Sequence, residues 1–493
     1  LSRCIKLTNE PPAGLRANLK RAFCSFDPDD FDELDSKQKA IIFALSFYHA
    51  ILIERKKFGT KGFNMMYPFS LGDLRDSSIV LGNYMDNASS SKIPWEDLRY
   101  LFGEITYGGH IVNDLDRLLN ITYLDFYLQD NVLDQKEMFP YVENEKGVSF
   151  KTPMPTTWEL YNKHIDEYLT SESPLAFGLH PNAEIDFRLN NSNDVLLRLT
   201  ELQPRDASGG EGTMSPTEIA EQAMGDIKEK INDFIFDMFE LNSSLEGDLR
   251  GPYQNVFLQE CTIMNLLTGE MRRSLKELKM GFDGELIMSP VMESLMLSLY
   301  LDRVAQPWAK LAWSSERPLA AWILDLLKRY AQLAEWTAVP ADIPQVIWLS
   351  GLSNPPSFLT AIKQVTAQKA KLPLDSIVIQ TDVQKKMERK DLDGPAKDGG
   401  CYCNGFYLEG ARWDLEACVI VKSLPKEMFV RMPIINCRGI LSSARETAGI
   451  FQCPLYKTQF RGPTFVFMAQ LKTKASASRW ILAGVALVLD VGE

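Results

Sequence analysis

The residues of this 493-residue chain that could do chemistry are four histidines, eight cysteines and scattered carboxylate pairs, and their spacing argues against most chemistry. His49, His110, His164 and His180 each stand alone. There is no His-Glu-x-x-His spacing to hold zinc and no Gly-x-Ser-x-Gly elbow to expose a nucleophilic serine. A Gly-x-x-x-x-Gly-Lys-Ser/Thr loop for nucleotide phosphates is also missing. The Gly108-Gly109 pair is no substitute, because it follows a helical pattern and leads into His110-Ile111, whereas a phosphate cradle opens a helix. His110 beside that pair is the most tempting single candidate, although a lone histidine there is more often packed or capping. Cys401 and Cys403 place two sulfurs on one face of a strand, but no second close Cys or His pair accompanies them, so reduced, packed thiols are expected rather than a metal site. Asp114 and Asp116 lie two apart on a helix and do not face each other. No catalytic, cofactor-binding or metal-binding residue is assigned.

The elements around these residues are clearer than the chemistry. In Ile93–Arg117, Pro94 suits the start of a helix, and Glu96 and Asp97 favour its positive end. Trp95, Leu98, Phe102 and Ile105 then recur at spacings of three and four, which predicts one buried stripe. Gly108-Gly109 offers a residue able to take positive φ after the last turn, and Ile111, Leu115, Leu118 and Leu119 restart the stripe. The stretch reads as helix, glycine stop, helix.

Before it, Ser36–Phe58 predicts a strong helix buried through Ala40, Ile41, Ala44, Leu45, Tyr48, Ile51 and Leu52, with Glu54-Arg55-Lys56-Lys57 placing positive charge at its negative end. Leu71–Met85 is a further helix. Prolines punctuate residues 140–185, and Ala207–Thr213 reads as a linker. Ser215-Pro216-Thr217-Glu218 combines an N-cap serine, a first-turn proline and a capping-box glutamate. Helices follow at Tyr253–Leu278, Pro290–Val304, Leu319–Trp336 and Phe358–Ala370. Beyond the charged segment Lys385–Gly400 the period switches to two. Phe406–Leu408, Cys418–Lys422, Met428–Met432, Ile434–Arg438, Ile450–Lys457, Thr464–Leu471 and Trp480–Val491 predict an antiparallel β-barrel or sandwich of about six strands. The fold class expected is therefore α+β: helical N-terminal and middle parts followed by a C-terminal antiparallel β-barrel.

With 53 basic and 65 acidic residues the net charge is −12, so nucleic acid or an anionic membrane is not the expected partner, and protein is. No uncharged apolar run approaches the roughly 20 residues that span a bilayer. Leu1 is not a methionine and Ile5-Lys6-Leu7 reads as the tail of a strand, so a piece of a longer polypeptide is expected.

Specific strings add a resemblance. Asn9-Glu10-Pro11-Pro12, Glu54-Arg55-Lys56-Lys57-Phe58-Gly59, the run from Pro94-Trp95 to Gly108-Gly109-His110, Phe177-Gly178-Leu179-His180-Pro181-Asn182-Ala183-Glu184-Ile185, Leu202-Gln203-Pro204-Arg205-Asp206, Trp348-Leu349-Ser350-Gly351 and Leu408-Glu409-Gly410-Ala411-Arg412-Trp413-Asp414 together resemble the C-terminal end of dynein heavy chains, of an axonemal, outer-arm type. The resemblance implies that 1–10 ends the large subdomain of a sixth AAA+ module. It makes 11–170 the helical small subdomain, 171–384 the helical part of a C-terminal domain, 385–400 a charged linker and 401–493 its β-barrel. It marks Pro94, Trp95, Gly108, Gly109, Trp348, Gly351, Arg412 and Trp413 as structural positions. It also implies a non-catalytic part that closes and regulates the ring of a ciliary microtubule motor, without a cofactor of its own, while ATP and Mg bind other modules. Implied partners are those modules, the microtubule, and other dynein heavy, intermediate and light chains, in the cytoskeleton of the cilium or flagellum. One departure is Val112-Asn113-Asp114-Leu115-Asp116-Arg117, where Leu115 stands in a place that tryptophan commonly takes. A free-standing scaffold whose barrel binds a peptide or small ligand is the competing reading.

Overall fold

The computed structural model describes residues 13–87, 93–134, 136–143, 149–169, 174–202, 215–245, 250–396 and 399–491. The expected strand tail at 1–10, the Asn9–Pro12 string and the linker at Ala207–Thr213 lie outside them, as does most of the Leu202–Asp206 string. The chain divides into two compact units. Unit 1 comprises Leu1–Asn193 with Ser423–Met428 and Ser476–Val485; unit 2 comprises Asp194–Lys422, Phe429–Ala475 and Ala486–Glu493.

Unit 1 is built on helices α1 (Leu15–Phe23), α2 (Pro28–Glu33), α3 (Ser36–Arg55), α4 (Leu71–Asn87), α5 (Trp95–Tyr100) and α6 (Asp114–Tyr127), a hairpin of β1 (Pro140–Glu143) and β2 (Ser149–Lys151), α7 (Trp158–Tyr168) and the start of α8 (Asn182–Leu202). Helix α3 is buried on nearly every side from Ala40 to Leu52, so it is the axis of the unit rather than an amphipathic surface helix. Phe43, Phe47 and Tyr48 carry an aromatic core that includes Phe23, Tyr107, Tyr127, Tyr141, Phe150 and Tyr161.

Unit 2 adds α9 (Pro216–Ile231), α10 (Met238–Ser244), α11 (Pro252–Phe282), α12 (Pro290–Tyr300), α13 (Gln306–Leu311), α14 (Leu319–Ala338), β3 (Val346–Trp348), α15 (Pro355–Ala370) and β4 (Ile377–Val383). The capping box at Ser215 is formed in full: Glu218 N–H donates to Ser215 Oγ (3.2 Å) and Ser215 N–H to Glu218 Oε2 (2.7 Å). Trp308, Trp322 and Trp336 fill the core between these helices. After them come β5 (Cys401–Asn404), β6 (Tyr407–Glu409), β7 (Arg412–Asp414), β8 (Val419–Val421), β9 (Phe429–Arg431), β10 (Ile435–Leu441), β11 (Ile450–Thr458), β12 (Phe465–Lys472), the short helix α16 (Ala477–Leu482), which belongs to unit 1, and β13 (Ala486–Asp490).

These strands do not close into a barrel, which corrects the expectation for the C-terminal part. They form a four-stranded sheet β3-β5-β10-β4, a five-stranded sheet β12-β11-β13-β6-β9 and a separate hairpin β7-β8. Each larger sheet contains one parallel pairing, β3 with β5 and β11 with β13, so neither is purely antiparallel as expected. Where the edge strands β4 and β12 approach, no ladder joins them. Thr381 and Gln470 bridge them instead, each side chain bonding the other's backbone: Thr381 N–H to Gln470 Oε1 (2.9 Å) and Gln470 N–H to Thr381 Oγ1 (2.6 Å). Alternation along a strand reports which side is buried and is silent about lateral neighbours, so it could not distinguish closure from two open sheets. Strands β4 and β5 flank Lys385–Gly400 in sequence and both pair with β10, so one sheet is drawn from both sides of that charged segment.

Candidate functional site

The expected structural positions separate into two groups, one in each unit. In unit 1, Pro94 precedes the first residue of α5, and Trp95 is buried with its indole N–H donating to Asp130 Oδ1 (2.6 Å). Leu98 and Phe102 continue the buried stripe, but Ile105 is exposed. The cause is a single π-turn over Leu101–Thr106, in which Tyr107 N–H reaches Phe102 O (3.1 Å); the extra residue per turn rotates Ile105 off the face. Leu118 is likewise exposed. The glycine pair also works differently from the expectation, because neither residue takes positive φ. Gly108 is required by contact: a Cβ there would fall on the Gly103 carbonyl oxygen and within 2.5 Å of its carbon. Gly109 faces open space. His110 Nε2 pairs with Asp73 Oδ1 (2.9 Å), tying α4 to the turn, and the buried His49 Nδ1 meets Tyr107 Oη (2.9 Å).

In unit 2, Trp348 N–H donates to Gln332 Oε1 (2.7 Å), and its indole leaves room for only a hydrogen at Gly351, where a Cβ would come within 2.8 Å of Cδ2. Arg412 and Trp413 lie on β7, Trp413 buried, and Asp414 closes the hairpin by accepting from Glu416 N–H (2.9 Å) and Ala417 N–H (3.0 Å). Behind Trp348 lies a polar core. Arg329 stacks on Trp313 (3.9 Å) and donates to Asp325 (2.8 Å), while Glu260 accepts from Ser353 N–H (2.7 Å) and Asn354 N–H (2.9 Å) at the start of α15. Burial pushes the Glu260 carboxyl upward, opposed by those two N–H donors. Cys401 and Cys403 are both buried, as their spacing on one strand predicted, and burial pushes the Cys401 thiol up to about 12. Among the described residues no group of three or more His, Cys, Asp or Glu side chains is placed to hold a metal ion.

A dense polar arrangement that the spacing arguments did not single out centres on Arg55. This residue ends α3 with 1% of its surface exposed. Its Nε donates to Gly62 O (2.8 Å), and Nη1 reaches Tyr123 Oη (2.7 Å), Phe177 O (2.8 Å) and Leu482 O (2.8 Å). Phe177 ends the 3₁₀ turn Pro174–Phe177 and Leu482 ends α16, so the guanidinium sits where the negative ends of helical segments converge. Five residues beyond Phe177, Asn182 opens α8 and grips the loop between β8 and β9: its Nδ2 donates to Leu424 O (3.0 Å) and Glu427 O (2.8 Å), and its Oδ1 accepts from Lys426 N–H (2.8 Å). The string Phe177–Asn182 is therefore the place where both C-terminal segments join unit 1. Asp116, within the Val112–Arg117 string, has a similar role. It accepts from Asn64 N–H (2.9 Å), Met65 N–H (3.2 Å) and Tyr67 Oη (2.8 Å), fixing the loop after α3. The quoted strings contained all three residues, and positive charge at the end of α3 was the one physical signal for Arg55.

These interactions organise backbone and contain no arrangement of nucleophile, base and oxyanion donors. Comparison with known families agrees with the strings: residues 189–489 match the C-terminal domain of dynein heavy chains, and residues 38–183 match the AAA lid domain of dynein heavy chains. The protein belongs to the family of dynein heavy chains, in their C-terminal region. Among its dynein relatives, the ciliary dynein beta chain of Tripneustes gratilla and the flagellar outer-arm dynein beta chain of Chlamydomonas reinhardtii are each 44% identical over 100% of this chain, and dynein axonemal heavy chain 17 of Homo sapiens is 43% identical over the same extent. The chain spans 11% of the length of each of those dynein chains.

Proposed function

We propose that this chain is the non-catalytic C-terminal portion of an axonemal dynein heavy chain, with 1–10 ending the large subdomain of the sixth AAA+ module, 11–170 its small subdomain and 171–493 the C-terminal domain. In this reading it closes and regulates the AAA+ ring of a microtubule motor in the cilium or flagellum. ATP and Mg act in other modules of the parent chain, and those modules are the direct partners. The microtubule and other dynein heavy, intermediate and light chains are reached through the parent. The observation that carries the regulatory part is the interlacing of unit 1, which takes up Ser423–Met428 and Ser476–Val485 from the C-terminal stretch. A lid built partly from a later region cannot shift without pulling on the chain that enters and leaves those segments.

ATP hydrolysis in such a ring requires a phosphate-cradling loop with its lysine, an acidic residue for magnesium and an arginine from a neighbour. Calorimetric titration of this chain with Mg-ATP is expected to show no binding in the micromolar range, and micromolar binding would refute the non-catalytic reading. In the parent heavy chain, Asn182→Ala is expected to change gliding velocity or stall force by a larger factor than it changes ATP turnover. Equal loss of both would refute the regulatory reading.

A further inference from the structure

The segment Ser476–Val485 has an unusual standing: the strands before and after it, β12 and β13, belong to unit 2, while the segment itself packs in unit 1. Its helix, α16, has six residues. A helix of that length does not persist alone in water, because nucleation is unfavourable and too few bonds follow it. Its order must come from the site in which it docks, so docking and helix formation are one event.

That site is largely complete without the segment. Of the four hydrogen bonds made by Arg55, those to Gly62 O, Tyr123 Oη and Phe177 O lie within the 1–193 stretch, and only the one to Leu482 O belongs to the segment. Tyr123 Oη also bonds Phe177 O, so the receptor side is cross-braced. Two glycines permit the close fit. Gly178, at φ 77°, lies so near Leu482 that a Cβ would stand 2.7 Å from the leucine Cβ. Gly484, at φ 67°, lets the chain turn away where a Cβ would stand 2.9 Å from Lys61 O. Trp480 is buried, and Ile481 and Leu482 pack against the unit 1 core. One side of Leu482 instead borders an open recess of about 620 Å³, shared with Tyr123, Phe126, Tyr127 and Gly178.

We propose that Ser476–Val485 is a clasp: an order–disorder element that docks on a preformed receptor centred on Arg55 and Gly178 and can release as a unit while the strands flanking it stay paired. Release takes one hydrogen bond in four from Arg55, melts α16, and opens the recess beside Leu482. The clasp follows from packing within unit 1 and is independent of the motor reading.

Hydrogen–deuterium exchange on the full chain tests it. In the wild type, Ala483, Gly484 and Val485 N–H groups donate to Arg479, Ile481 and Trp480 carbonyls and are expected to be protected. Arg55→Gln, which cannot reach the same carbonyls, and Gly178→Ala, which crowds Leu482, are each expected to speed exchange across 479–485 at least tenfold. Protection in β11, β13, α3 and α6 should remain at the wild-type level. If Arg55→Gln does not fold, Gly178→Ala decides. Unchanged exchange at 479–485 in the folded variants, or loss of protection spreading through α3 and α6 in every variant, would overturn the proposal.

Discussion

Replacing Gly108 and Gly109 separately by alanine should give opposite results, although the two are adjacent and the sequence treats them as a pair. A Cβ on Gly108 meets the carbonyl of Gly103, within 2.5 Å of its carbon, whereas ordinary Cβ contacts begin near 3.4 Å. The carbonyl oxygen lies closer still, so roughly 1.5 Å of backbone movement is needed. The Gly103 carbonyl is not free to give way, because Asn120 Nδ2 donates to its oxygen (3.2 Å) and Asn120 is itself bonded by the buried Tyr48 hydroxyl. The cost should lie at the upper end of overpacking penalties, about 3 kcal/mol. At Gly109 nothing lies within 4 Å and φ is not positive, so alanine should stabilise by about 0.4–1 kcal/mol by restricting the unfolded chain. For a unit of this size 1 kcal/mol corresponds to about 2–4 °C, so calorimetric unfolding should show the unit 1 transition falling by about 6–12 °C for Gly108→Ala and rising by about 1–4 °C for Gly109→Ala. A Gly108→Ala transition within a degree of wild type, or a larger drop for Gly109→Ala, would show that the π-turn contact does not exist.

Burial pushes the His49 imidazole from its ordinary 6.5 to about 4, so the unfolded chain takes up a proton that the folded chain refuses; stability should be intact above pH 6.5 and fall between 6.5 and 4, by about 3 kcal/mol at most. Denaturant midpoints against pH should show that slope reduced in His49→Gln, and an identical slope would refute it. Trp95→Ala should cost about 3–5 kcal/mol in thermal or urea unfolding, as loss of a buried aromatic does, with no change as the refuting result. Glu409→Gln removes the anionic partner of the buried Arg461 (2.6 Å) and should destabilise unit 2 by about 3–5 kcal/mol, whereas an exposed pair would give under about 1 kcal/mol in the same measurement.

Much of the helical architecture was legible because its signals are local. The serine, proline and glutamate at 215–218 specify a helix start whatever surrounds them, and α3 and α14 announce themselves through long apolar runs. What failed depended on neighbours that sequence does not name. Ile105 has the right spacing for the buried stripe, and only the π-turn over Leu101–Thr106 moves it out. Trp480–Val491 reads as one strand because its apolar density suits either state. Gly484, at positive φ, divides it into the end of a helix docked by Arg55 and a strand paired with β6 and β11. Strands β3 and β4 are short or sit among helices, so nothing in their own residues announced that they share a sheet with β5 and β10. Arg55 looked like a surface charge at a helix end; its burial is visible only once Phe177 and Leu482 are brought to it.

The route of the polypeptide has a consequence for how such a protein can be altered. Between Asn193 and Asp194, Lys422 and Ser423, Met428 and Phe429, Ala475 and Ser476, and Val485 and Ala486, it passes from one unit to the other. Parts related in this way cannot be exchanged like beads on a string. A stop codon anywhere before Val485 strips residues from the first unit as well as the second, and a graft that swaps the C-terminal hundred residues for those of a relative also replaces the partner that Arg55 and Asn182 were shaped to hold. Divergence in the N-terminal and C-terminal stretches that together build unit 1 must therefore be concerted at those contacts, and chimeras should be joined with both sides of each contact taken from the same parent.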